Sequence, residues 1–80
     1  MRIRVYSTTT CPKCAQLKAY LTRKGLEFEN INLTETPQKM AELQTIAPGT
    51  RSVPVLVLGE GETLQVIHGF DEPKLDQLLV

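Results

Sequence analysis

Cys11 and Cys14 are the residues of this 80-residue chain whose type and spacing indicate a specific chemistry. Two cysteines separated by two residues, after a predicted strand and at the start of a predicted helix, are typical of a pair that cycles between dithiol and disulfide. If Cys11 is the N-cap, its sulfur faces the free amide N–H groups and the positive end of the helix dipole. These effects favour the thiolate and can lower the pKa of such a thiol from about 8.5 to between roughly 3.5 and 7.5.

The residues that follow Cys11 fit this interpretation. Pro12 suits the first helical position, where a missing N–H costs nothing, and Lys13 supplies an amide donor and a positive charge. Cys14 lies about one turn further along the same helix face, where its sulfur can reach Cys11 and where it is nearer the core. We therefore predict that Cys11 attacks a substrate disulfide and that Cys14 then resolves the mixed disulfide.

Two other interpretations of the cysteine pair remain open. The pair could be two small buried residues of a helix, or it could hold a metal in a non-catalytic module that binds or regulates a partner. A structural zinc site needs four ligands, and His68 is the only further obvious candidate. We therefore expect no metal site within one chain.

The apolar pattern along the chain predicts the element order β-α-β-α-β-β-α, hence an α/β fold. A right-handed first crossover makes the first two strands parallel, and a short turn makes the last two antiparallel. We expect a mixed four-stranded sheet flanked by helices, in one domain over residues 1–80. The predicted strands cover residues 3–6, 27–33, 53–58 and 64–67, and the predicted helices begin at Cys11, Thr36-Pro37 and Asp71. The predicted inward side chains of the last two helices are Met40, Leu43, Ile46, Ala47, Leu75, Leu78 and Leu79.

The composition excludes several classes of function. A formal net charge of zero argues against a nucleic-acid surface, and no apolar run is long enough to span a membrane. The first six residues are too short and too charged for a signal peptide. We expect a cytoplasmic monomer, in which a disulfide would be transient and catalytic.

Pro54 stands at the start of an otherwise apolar, β-favouring run. Base rates favour a trans Val53–Pro54 bond. A cis bond would instead turn the backbone of Val53 outward, where it could pair with an extended substrate. Arg51, just before it, is either solvated or steers an anionic substrate.

Gly69, Phe70 and Asp71 leave the last predicted strand and also permit two interpretations. They are a strand break, an exposed aromatic and a helix cap, or they form a second binding edge. In the second case, free N–H groups at the helix start would bind a carboxylate and Phe70 would offer a contact surface.

In its order of motifs the chain resembles the glutaredoxin family, within the thioredoxin fold, over essentially its whole length. The resemblance implies a cis proline at Pro54 lying against the cysteine pair. It also implies a redox-active disulfide between Cys11 and Cys14 with no bound cofactor. The matching segments are Val5-Tyr6-Ser7, Cys11-Pro12-Lys13-Cys14, Arg51-Ser52-Val53-Pro54 and Gly69-Phe70-Asp71.

Two branches of that family are similar to this chain. Glutathione-dependent glutaredoxins share Pro12, residues 51–54 and Asp71, and would make glutathione the reductant. They usually carry an aromatic residue where Lys13 stands and a lysine or arginine where Thr8 stands. They also usually carry a pair of glycines, and the first of these is replaced by His68 in this chain.

The other branch is the glutaredoxin-like NrdH-redoxins, which supply electrons to ribonucleotide reductase and are recharged by thioredoxin reductase. They resemble this chain in its brevity and in Gly69-Phe70 followed closely by a proline, here Pro73. They usually show Ser-Gly-Phe-Arg-Pro, whereas here Asp71 and Glu72 precede the proline. We favour this branch, which implies protein disulfides as substrates, and keep the glutathione-dependent branch as the alternative.

Overall fold

The computed structural model describes residues 2–50 and 53–78. Within them it confirms the predicted order of four strands and three helices, with one additional 3₁₀ turn at Gly61–Thr63. The strands are β1 Ile3–Ser7, β2 Glu29–Asn32, β3 Val55–Leu58 and β4 Gln65–His68. The helices are α1 Pro12–Arg23, α2 Lys39–Ile46 and α3 Glu72–Leu78.

The four strands form one mixed sheet in the order β2-β1-β3-β4. As predicted, β1 and β2 are parallel and β3 and β4 are antiparallel, while β1 also pairs antiparallel with β3. In this register Tyr6, near the end of β1, lies opposite Val55, the first residue of β3. The sheet therefore brings the chain that leads to the cysteines close to the chain that follows Pro54.

Each face of the sheet has its own apolar core. Along β3, Leu56 and Leu58 point to the face that α1 and α3 cover, whereas Val55 and Val57 point to the α2 face. All four side chains are buried, which confirms a strand covered on both sides at Val55–Leu58. The predicted strand also included residues 53 and 54, which precede the observed one. The first core contains Ile3, Val5, Leu17, Tyr20, Leu21, Leu56, Leu58, Ile67 and Leu75. The second contains Tyr6, Ile31, Leu33, Leu43, Ala47, Val55 and Val57.

The predicted start of the second helix at Thr36-Pro37 is wrong. Helix α2 begins at Lys39, after a separate turn in which the amides of Lys39 and Met40 donate to the carbonyls of Thr36 and Pro37. The hydroxyl of Thr36 donates to the carbonyl of Asn32 at 2.7 Å. That hydroxyl thus closes the turn after β2 and does not cap the helix.

Two of the predicted inward side chains are exposed. Met40 and Leu78 each keep 39% of their surface accessible, while Leu43 and Leu75 are buried on the same helices. The helices α2 and α3 are short, with eight and seven residues. Each therefore directs only a narrow stripe of side chains toward the core. The predicted inward residue Leu79 lies outside the described residues.

None of the helices in the described part of the chain is long and apolar enough to cross a membrane.

Candidate active site

Cys11 occupies the N-cap of α1, as predicted. Its backbone is extended, with φ −110° and ψ 104°, and Pro12 follows in the first turn. The amide of Cys14 donates to the Cys11 sulfur at 3.1 Å. The sulfur therefore takes the place of a capping oxygen, at the end of the helix where a negative charge is stabilised.

Cys11 and Cys14 are joined as a disulfide, with their Cα atoms 5.2 Å apart. This separation lies in the usual range for disulfides. Cys14 is 1% exposed, whereas Cys11 is half-buried. An incoming molecule can thus approach the Cys11 sulfur more readily than the Cys14 sulfur.

The bond between Val53 and Pro54 is cis, as the resemblance implied and contrary to the base-rate expectation. Pro54 is fully buried, and its carbonyl accepts a hydrogen bond from the amide of Gly69 at 2.8 Å. Gly69 has φ +78°, a left-handed conformation that glycine adopts without steric cost. The start of β3 and the exit from β4 are therefore fixed to each other. The contact of Pro54 with the cysteine pair stays a prediction.

Asp71 caps α3, which agrees with the simpler interpretation of this segment. Its carboxylate accepts from the amide of Lys74 at 3.3 Å and its carbonyl from the amide of Leu75 at 3.0 Å. Phe70 is half-buried, which corrects the expected exposed aromatic, and packs edge-to-face on Tyr20 at a centroid distance of 6.0 Å. A role for these residues as a second binding edge stays a prediction.

The remaining predicted site residues lie partly inside and partly outside the described residues. Pro12 and Lys13 are exposed directly beside Cys11. Arg51 lies outside the described residues. The described residues hold no group of three or more histidine, cysteine, aspartate or glutamate side chains placed to bind a metal ion.

Sequence reasoning missed three polar residues near the cysteines. The side chains of Thr9, Asn32 and Thr34 connect the loop before Cys11 to the chain that leaves β2. The one available signal is an asparagine at the end of a predicted strand, which is typical of a side chain that closes a turn.

A charged cluster lies on the α2 face of the sheet. The Glu42 carboxylate accepts from the Tyr6 hydroxyl at 2.8 Å and pairs with Lys39 at 3.1 Å and with buried Arg4 at 3.5 Å. The hydrogen bond from Tyr6, followed by that from Lys39, lowers the pKa of Glu42. Burial, with the hydrogen bond to Glu42, raises the pKa of Tyr6 to about 12.

Comparison with known proteins shows one consistent set of similarities. The model of the glutaredoxin family matches residues 3–62. The N-acetyl-S-hydroxy-L-cysteine reductase of Bacillus subtilis is 34% identical over 79 residues, which cover 99% of this chain and 84% of that protein.

Two solved structures are similar over nearly the whole chain. The glutaredoxin of Archaeoglobus fulgidus has a TM-score of 0.78 and 31% identity, covering 98% of this chain and 85% of that one. The glutaredoxin-like NrdH-redoxin of Escherichia coli, described for its thioredoxin-like activity profile, has a TM-score of 0.78 and 28% identity. That match covers 98% of this chain and 95% of that one. These similarities confirm the predicted thioredoxin-like fold.

Proposed function

Because this chain belongs to the glutaredoxin family of thiol-disulfide oxidoreductases, we propose that it reduces protein disulfides in the cytoplasm through Cys11 and Cys14. The observation that carries the proposal is the position of the Cys11 sulfur at the N-cap of α1, 3.1 Å from the amide of Cys14. A thiol placed there after reduction loses its proton more readily than a free cysteine. The protein acts as a monomer of one domain over residues 1–80, without a bound cofactor.

The reaction transfers two electrons in two exchange steps. The Cys11 thiolate attacks one sulfur of the substrate disulfide, whose S–S bond breaks, and the departing sulfur takes up a proton. Cys14 then gives up its proton and attacks the Cys11 sulfur of the mixed disulfide, which releases the second substrate thiol. The substrate leaves as a dithiol, and Cys11 and Cys14 remain as the disulfide seen in the structure.

The difference in exposure between the two cysteine residues supports this division of roles. Cys11 is half-buried and can meet a bulky disulfide, whereas Cys14 is 1% exposed and can reach only the sulfur beside it. A buried thiol also keeps a higher pKa, because burial disfavours its charged form. Cys11 is therefore the attacking cysteine and Cys14 the resolving cysteine.

The substrate binds as an extended segment along the backbone of Val53, beside cis-Pro54. The hydrogen bond that fixes Pro54 against Gly69 supports this assignment, because it holds the backbone beside Val53 in place. Pro12 and Lys13, both exposed beside Cys11, contact the same partner. The further contact residues proposed are Arg51, Phe70 and Asp71.

Thioredoxin reductase recharges the protein, and ribonucleotide reductase is the proposed partner. The supporting observation is the similarity to the NrdH-redoxin of Escherichia coli over 98% of this chain and 95% of that one. Thr8 and Lys13 also depart from the residues that glutathione-dependent glutaredoxins usually carry. Recharging by glutathione is the alternative.

A recycling assay tests the reductant. The oxidised protein and a disulfide substrate are mixed with NADPH and either thioredoxin reductase or glutathione plus glutathione reductase. We expect sustained NADPH consumption with thioredoxin reductase, lost in Cys11→Ser. Turnover with the glutathione system alone would contradict the proposed reductant, and full activity of Cys11→Ser would contradict the role of that cysteine.

A small sulfenic acid is a second candidate substrate, favoured by the 34% identity to the N-acetyl-S-hydroxy-L-cysteine reductase of Bacillus subtilis. Attack of the Cys11 thiolate on the S–OH sulfur would form a mixed disulfide and release hydroxide, which takes up a proton to give water. Cys14 would then release N-acetylcysteine. Comparison of kcat/KM for a protein disulfide and for N-acetyl-S-hydroxy-L-cysteine, with one reductase, distinguishes the two substrates.

A further inference from the structure

A loop of three threonines, residues 8–10, joins β1 to Cys11. Its middle residue, Thr9, makes two hydrogen bonds to side chains at and just after the end of β2. The backbone amide of Thr9 donates to the hydroxyl of Thr34 at 3.2 Å. The hydroxyl of Thr9 accepts from the carboxamide nitrogen of Asn32 at 3.4 Å.

The carboxamide of Asn32 has one fixed orientation. Its oxygen accepts from the amides of Thr34 and Glu35, at 2.9 and 3.1 Å, and so closes the turn after β2. The amide of Leu33 donates to the carbonyl of Ser7 at 2.7 Å, which fixes the same turn against the end of β1. With its oxygen used in this way, the nitrogen of Asn32 is directed at Thr9.

The orientation of Cys11 depends on the path of this loop. Capping by its sulfur requires the extended backbone of Cys11, at φ −110° and ψ 104°, before the chain turns into α1. Thr9 is exposed, so core packing does not fix it. The two hydrogen bonds at Thr9 therefore restrict the backbone two residues before the sulfur that caps the helix.

We propose that Thr9, Asn32 and Thr34 are positioning residues that hold the Cys11 sulfur at the N-cap of α1. This inference rests on the proposed function, because it concerns the orientation of the proposed attacking sulfur. The residues act through the loop and do not contact the substrate. Without them the loop populates conformations in which the Cys11 thiolate loses its amide donor, and the fraction of thiolate falls.

The test uses variants that remove hydroxyl groups and keep the side-chain shape. Thr9→Val removes the acceptor for Asn32, Thr34→Val removes the acceptor for the amide of Thr9, and the double variant removes both. Thr9→Ser keeps the hydroxyl and should behave as the wild type. Thr45→Val is the matched control, because the exposed hydroxyl of Thr45 donates only within its own helix, to the carbonyl of Ala41 at 3.0 Å.

The readout is the rate at which iodoacetamide alkylates Cys11 in the reduced protein, followed against pH and assigned by mass spectrometry. We expect the double variant to raise the apparent pKa of Cys11 by about half a unit or more, which slows alkylation about threefold below that pKa. Thr45→Val should leave the profile unchanged. Thermal unfolding of each variant shows whether the fold is intact. If the double variant does not fold, the alkylation profiles of the two single valine variants are compared with the wild type instead.

Two results would overturn the inference. One is an unchanged Cys11 profile in folded valine variants. The other is an equal shift in Thr9→Ser, which would assign the effect to the methyl group and not to the hydroxyl. Failure of the proposed function is distinguishable, because the wild type would then show no turnover in the recycling assay, whereas the alkylation profiles would still compare the variants with the wild type.

Discussion

At the scale of single residues, Glu42 connects α2 to the centre of the sheet. Its carboxylate accepts from the hydroxyl of Tyr6 and faces the guanidinium of Arg4, which is 7% exposed. A buried guanidinium without a counter-charge is costly, so the carboxylate stabilises the fold chiefly in its charged form. The lowered pKa of Glu42, caused first by the hydrogen bond from Tyr6, reflects the same preference.

We predict that Glu42→Gln destabilises the protein by about 1 kcal/mol near neutral pH, since glutamine keeps the shape but not the charge. The pKa of Glu42 is lower in the folded than in the unfolded protein. The stabilisation that the Glu42 carboxylate gives the folded protein is therefore complete above the usual glutamate pKa of 4.5 and is lost as the pH falls through the lower folded-state pKa. The free energy of unfolding is measured with urea at about pH 7 and about pH 3. The difference between Glu42→Gln and the wild type should be smaller at the lower pH.

Glu29→Gln is the control for that prediction. Glu29 pairs with Arg2 at 3.2 Å, but both side chains are about half exposed, and such surface pairs contribute little. If Glu42→Gln lowers the free energy of unfolding as much in acid as at neutral pH, the electrostatic explanation is contradicted.

At the scale of elements, the seven-residue helix α3 has one buried side chain among the residues that the structure describes. Leu75 is fully buried, whereas Leu78 on the same helix is 39% exposed. The hydroxyl of Tyr20 on α1 donates to the carboxylate of Asp76, which adds a polar contact between the two helices. Helix propensity alone does not stabilise a helix this short, so its docking depends mainly on Leu75.

We predict that Leu75→Ala lowers the free energy of unfolding by about 2–5 kcal/mol, because it leaves a cavity against the sheet. Leu78→Ala, the matched control one turn away, should cost less than about 1 kcal/mol. Denaturant unfolding of both variants provides the comparison. Equal effects of the two substitutions would mean that α3 packs through a different face.

At the scale of the whole molecule, the sequence predicted the fold because its signals were local. The apolar pattern along the chain identified the order of strands and helices, and the two cysteines identified the start of α1. The start of α2 could not be predicted, since the hydroxyl of Thr36 bonds to Asn32 and not to the helix. The contacts of Thr9 were also inaccessible, because they join residues more than twenty positions apart. The cis bond before Pro54 followed from the family resemblance and not from residue statistics.

The most direct test of the central claim is the identity of the trapped intermediate. Cys14→Ser and Cys11→Ser proteins are incubated with a protein disulfide, quenched in acid and examined by mass spectrometry. We predict that Cys14→Ser accumulates a mixed disulfide at Cys11, because no thiol remains to resolve it, and that Cys11→Ser forms none and does not turn over. A mixed disulfide at Cys14, or full turnover by Cys11→Ser, would contradict the account.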